Sequence, residues 1–149
     1  MVLGAVTLLV AAGLVGLWAP DRAAASCVGP QVAVAVGAGT PSAVSESAAP
    51  VEVHPGDRLR VTGEWFHTGC EDTQPGCSGP PASDREAPMQ DVRLSLEQGT
   101  WTRTLGVVSA GSRAQRYAVS YDVTVPATVA PGAATLRVGP VGVPLVVAG

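Results

Sequence analysis

The chain has 149 residues, 46% of them hydrophobic but only 14% charged, with a formal net charge of −3. That length holds one domain, and the charge balance excludes a nucleic-acid binder, which needs a basic stripe to displace counterions. With 18 Gly, 13 Pro and two His, the composition is rich in turn formers and offers little material for a catalytic apparatus.

Residues 2–18 form an uncharged run of seventeen, followed by Pro20, Asp21, Arg22 and then Ala23-Ala24-Ala25-Ser26-Cys27. An apolar run closed by a helix breaker and small residues predicts a cleavable signal peptide over 1–25, cut before Ser26. An uncleaved anchor is the weaker alternative, because seventeen residues with three Gly are marginal for a hydrocarbon core of about 30 Å. The segment Ala24-Ala25-Ser26-Cys27 also resembles the lipobox of bacterial lipoproteins. That resemblance implies a lipoprotein signal over 1–26 and lipidation of Cys27. Each fate predicts an extracellular location or the outer face of the plasma membrane, with membrane contact only through a lipid or an uncleaved anchor.

From residue 26 onward the pattern has period two. Residues 31–36 read Gln-Val-Ala-Val-Ala-Val, with Val32, Val34 and Val36 on one face. Residues 37–50 are rich in Gly, Ala, Ser and Pro and predict a tether or a long connection, so 26–50 is assigned as first strand plus linker. A short strand at 51–53 is stopped by His54-Pro55-Gly56-Asp57, a β-turn signature in which Pro supplies a fixed φ and Gly a permissive one. Residues 58–66 direct Leu59 and Val61 inward and Arg58, Arg60 and Thr62 outward. Residues 91–98 alternate in the same way, and Gly99-Thr100 turns them into a strand over 101–108. Over 117–125, Tyr117, Val119, Tyr121, Val123 and Val125 share one face. Pro131-Gly132 precedes inward Ala134, Leu136 and Val138, and residues 141–147 close the domain, Pro144 marking an edge position or a bulge.

No stretch carries an amphipathic helical stripe, so the chain is predicted to be all-β: an antiparallel sandwich of about seven strands over 51–149. The block Val53-x-Pro55-Gly56-Asp57-x-Leu59-x-Val61-Thr62-Gly63-x-x-Phe66 resembles the opening of Ig-like and IPT/TIG-type domains of bacterial secreted proteins. Residues 125–138, with Pro126, Pro131, Gly132, Ala134, Leu136 and Val138, resemble their close. Together with the lipobox-like Cys27, the chain is similar to exported proteins of high-GC Gram-positive bacteria. The resemblance implies an Ig-like fold and is nearly silent on activity.

The stretch least like the generic domain is 67–90, twenty-four residues without strand or helix periodicity; such loops are functional or disordered. Cys70 and Cys77 enclose Pro75-Gly76 within it. Three Cys in an exported chain leave one over. Two pairings are open: Cys70 with Cys77, or Cys27 with one of them. In an oxidising compartment a Cys70–Cys77 bridge is worth about 2.5 kcal/mol by loop closure.

Three function classes follow. The first is a non-enzymatic interaction or structural module that presents this loop to a protein or to cell-wall polysaccharide. The second is a carbohydrate-binding module stacking sugars on Trp65 and Trp101, the aromatics expected to be most exposed. The third is a metal-binding envelope protein, since His67, Cys70, Glu71 and Asp72 fall within six residues and His54 sits near a turn. Their spacing matches no established site, so no metal ligand and no cofactor is assigned. Nor is a catalytic residue: the sequence contains no G-x-S-x-G, H-E-x-x-H or S-x-x-K. Trp65, His67 and Trp101 are the binding candidates.

Overall fold

The computed structural model describes residues 28–45, 48–69 and 86–149. The strands in chain order are β1 (Gln31–Val36), β2 (Ser42–Val44), β3 (Val51–Val53), β4 (Arg58–Glu64), β5 (His67–Thr68), β6 (Ala87–Pro88), β7 (Val92–Gln98), β8 (Trp101–Val108), β9 (Val119–Thr124), β10 (Gly132–Val138) and β11 (Val141–Val147). A 3-10 turn, Arg113–Gln115, is the one helical element among the described residues. The chain is all-β.

Nine strands make two sheets. One has the order β2-β1-β4-β9, the other β3-β11-β10-β7-β8; β5 and β6 form a separate two-stranded ladder. The period-two pattern explains how the sheets face each other. Val32 and Val34 of β1, Leu59 and Val61 of β4, and Val119 and Tyr121 of β9 are buried from one side. Leu94 and Leu96, Leu136 and Val138, and Val143 and Leu145 meet them from the other. The core is built of Val and Leu with Phe66, Tyr117 and Tyr121 as its buried aromatics.

Three expectations about layout are corrected. The sheets are not purely antiparallel, because β3 pairs parallel with β11, Val51 opposite Leu145 and Val53 opposite Val147. The chain crosses from one sheet to the other after β2, and β3 therefore joins β11 running in the same direction. The sandwich also begins earlier than residue 51. β1 pairs with β4 along its whole length, Gln31 opposite Glu64 to Val36 opposite Leu59, and the expected linker contains β2, paired antiparallel with β1. Of the two expected roles for this stretch, the described residues 37–45 and 48–50 fit the connection within the fold and not the tether. Finally, the ends of the stretch expected to lack strand are paired, His67 with Pro88 and Thr68 with Ala87.

The turn at 54–57 forms as its sequence dictates: the Asp57 N–H donates to the His54 carbonyl at 3.0 Å and Gly56 has φ +92°, as a type II turn requires. Pro144 lies opposite Thr135 of β10, one residue before the β3 pairing starts, so β11 is an edge on that side where its N–H is missing.

Candidate functional site

The expected sites divide between the two ends of the sandwich. β7 runs from Val92 at one end to Gln98 at the other, and Trp101 lies opposite Gln98. A Cβ placed on Gly139 would meet both Val92 and the Phe66 ring, so Phe66 and its neighbour Trp65 belong to the Val92 end. Trp65 and Trp101 are therefore at opposite ends and do not form one stacking face. Trp101 is 36% exposed, whereas Trp65 is half-buried against the core. His54, in the 54–57 turn beyond β3, is at the Trp101 end. Its Nδ1 faces Asp57 Oδ2 at 3.6 Å, and it does not approach His67. Cys27, Cys70, Cys77, Glu71 and Asp72 lie outside the described residues, as does the predicted signal segment. Among the described residues no helix is long and apolar enough to cross a membrane, and no group of three or more His, Cys, Asp or Glu is placed to hold a metal ion.

The Val92 end has a constructed corner. Gly63 lets Phe66 fold back, because a Cβ there would sit 2.5 Å from Phe66 Cε2 and 3.0 Å from the Gln31 carbonyl. Phe66 is fully buried. Its N–H donates to the Tyr117 carbonyl at 3.2 Å, its carbonyl accepts from the Met89 N–H at 3.0 Å, and the Met89 carbonyl accepts from Ala110 at 2.9 Å. The two arms of the 67–90 stretch are thus tied at their base through Phe66, Met89 and Ala110 and to each other through β5 and β6.

Strain concentrates at the same place. Trp65 (φ 66°), Arg116 (φ 54°) and Tyr117 (φ 52°) all occupy the left-handed region, where side chains with a Cβ cost roughly 1–2 kcal/mol each. They are neighbours in space: the Trp65 N–H donates to the Arg116 carbonyl at 2.7 Å. The 3-10 turn holds them. Gln115 Oε1 accepts from the Ser112 N–H at 3.0 Å, and the Tyr117 and Arg116 N–H groups donate to Ser112 and Arg113 carbonyls.

Polar side chains complete the corner. The buried Tyr117 hydroxyl donates to Glu86 Oε2 at 3.2 Å, and Arg113 Nε lies 3.7 Å from the same oxygen. Arg116 reaches Glu64 Oε2 at 3.2 Å. The His67 ring packs on Tyr117, centroids 5.0 Å apart at 44°, with Nδ1 3.0 Å from the Gly69 carbonyl. Nothing here is a nucleophile with an attached base. Chemically the corner is a clamp: aromatic rings and paired charges that hold His67–Gly69 and Glu86–Pro88 together.

Sequence reasoning singled out Trp65 and His67 but missed Glu64, Glu86, Arg113 and Arg116. It took Tyr117 for the first residue of a strand, whereas β9 starts at Val119. The one sequence signal available was Ser112-x-x-Gln115, the spacing of a capping box.

No family model, curated protein or solved structure matches this chain.

Proposed function

We propose that this chain is an exported, non-enzymatic Ig-like module that presents the 67–90 loop from one end of a rigid sandwich to a protein or polysaccharide of the cell envelope. The Ig-like reading is supported by the strand order. β1-β4-β9 faces β11-β10-β7, an arrangement similar to the A-B-E and G-F-C strands of immunoglobulin-like sandwiches, with β8 added beside β7. The observation that carries the presentation role is the clamp: His67 opposite Pro88 and Thr68 opposite Ala87, anchored on Phe66 through Met89. A long loop fixed at both feet loses less entropy on binding than one hung from free ends. Export fits the apolar leader at 2–18 and would place Cys70 and Cys77 in a compartment that oxidises thiols, where the expected bridge can form.

Intact mass of the chain recovered from an exporting host, with and without reductant, tests address and bridge together. The reading expects an N-terminus at Ser26, or a diacylglyceryl mass on Cys27, and a gain of about two daltons on reduction, the two hydrogens of one opened disulfide. An unprocessed chain with no mass change on reduction would refute both.

A further inference from the structure

The edges of the two sheets are not equally guarded. β2 and β3 are three residues each, and β9 carries Asp122. β8 is the longest strand of the fold and terminates its sheet. Among the described residues its outer side has no backbone hydrogen-bond partner. It holds one charge, Arg103, and two of the exposed large apolar side chains, Trp101 (36%) and Val107 (48%). An edge of this kind is a template for another strand.

We propose that β8 pairs antiparallel with β8 of a second copy of this chain about a two-fold axis between Thr104 and Leu105, joining the two five-stranded sheets edge to edge. The argument for a second copy is the strand's own register. Opposite β7, Gly106 faces Leu94 but Thr104 faces Ser95, so Leu105 is a one-residue bulge. Side chains alternate along a regular strand, and residues five apart then point to opposite faces. The bulge reverses that parity. Thr102 opposite Glu97 and Val107 opposite Arg93 both lie on the outer face, while Arg103 opposite Leu96 and Gly106 opposite Leu94 both lie on the core face.

An antiparallel copy centred on the bulge therefore sets Trp101 opposite Val108, Thr102 opposite Val107 and Arg103 opposite Gly106, every pair on a matching face as antiparallel pairing requires. The exposed Val107 gains an uncharged partner. Arg103 meets a Gly and not its own copy, which removes the like-charge contact that would otherwise oppose self-pairing. The irregular residues, Thr104 and Leu105, fall at the axis between two three-residue ladders. An interface of this size belongs to the weak class.

The test is sedimentation of the full chain over a concentration series reaching about 1 mM, the range in which a small specific interface is read. The wild type is expected to dimerise. T102K/V107K places Lys opposite Lys twice in this register and should raise the dissociation constant at least about tenfold. T102K/V107E places Lys opposite Glu twice and should restore dimerisation, more so at low salt. Positions 102 and 107 are both exposed and roughly 17 Å apart along the strand, so neither variant couples the two within one chain; unchanged near-UV circular dichroism verifies the fold. A monomer at every concentration, leaving the edge to an extended segment of another protein, overturns the proposal. So does a dimer indifferent to T102K/V107K, as one formed through the apolar leader would be, or a T102K/V107E chain no better associated than T102K/V107K.

Discussion

The Tyr121 hydroxyl donates a 2.8 Å hydrogen bond to the Val92 carbonyl, tying the outer strand of one sheet to the other sheet through the core. Gly106 on β8 makes room: a Cβ there would press on the Tyr121 ring at 3.2 Å.

Tyr121→Phe removes this buried hydrogen bond between the sheets. The expected cost is about 1–2 kcal/mol, measured as a lower denaturation midpoint with unchanged slope in urea.

The same residue sets a limit at high pH. Burial pushes the Tyr121 hydroxyl up to about 12 from 10.0. The folded state therefore holds its proton where the unfolded chain releases it. The contribution is complete below about pH 10 and is lost as pH rises from 10 toward 12, with a ceiling of about 2–3 kcal/mol for two units. Stability of the wild type should fall across that window, and Tyr121→Phe should flatten the fall. An equally steep decline in the variant would assign it elsewhere.

Gly63→Ala forces a methyl into the Phe66 ring and against the Gln31 carbonyl. A backbone neighbour cannot yield cheaply, so destabilisation of about 1–3 kcal/mol is expected. It should be visible as a drop in thermal midpoint and as altered aromatic NMR shifts of Phe66.

Tyr117→Phe deletes the hydroxyl that holds Glu86 but keeps the ring against His67. Global stability should change by no more than about 1 kcal/mol. Hydrogen exchange of the Met89 and Ala87 amides should quicken, because the clamp opens locally before the sandwich does. Unchanged exchange there would remove Glu86 from the clamp.

Much of this fold was legible along the chain, and the physical reason is periodicity. Val92, Leu94 and Leu96 alternate with Arg93 and Glu97, and all three are buried; Gly99-Thr100 makes the expected hairpin. Ser95 broke the pattern. It lies on the outer face yet is buried, flanked in register by Arg137 and Thr104. What stayed hidden depends on partners distant in sequence. β2 is three residues inside a Gly-Ala-Ser-Pro stretch, too short to show a period. The parallel pairing of Val51 with Leu145 joins segments more than ninety residues apart. The clamp was invisible for a similar reason: Glu86 meets Tyr117 through a hydrogen bond, and the left-handed turn at Arg116 and Tyr117 shifts where the strand begins.

Under the proposed function, a rigid sandwich presents the loop held between His67 and Pro88. The most direct test compares binding of the wild-type chain and of a variant with residues 70–85 replaced by a Gly-Ser linker to envelope preparations of a high-GC Gram-positive bacterium. Stability within about 1 kcal/mol of the wild type is expected, since the feet remain paired, together with loss of binding. Equal binding by both chains would contradict it.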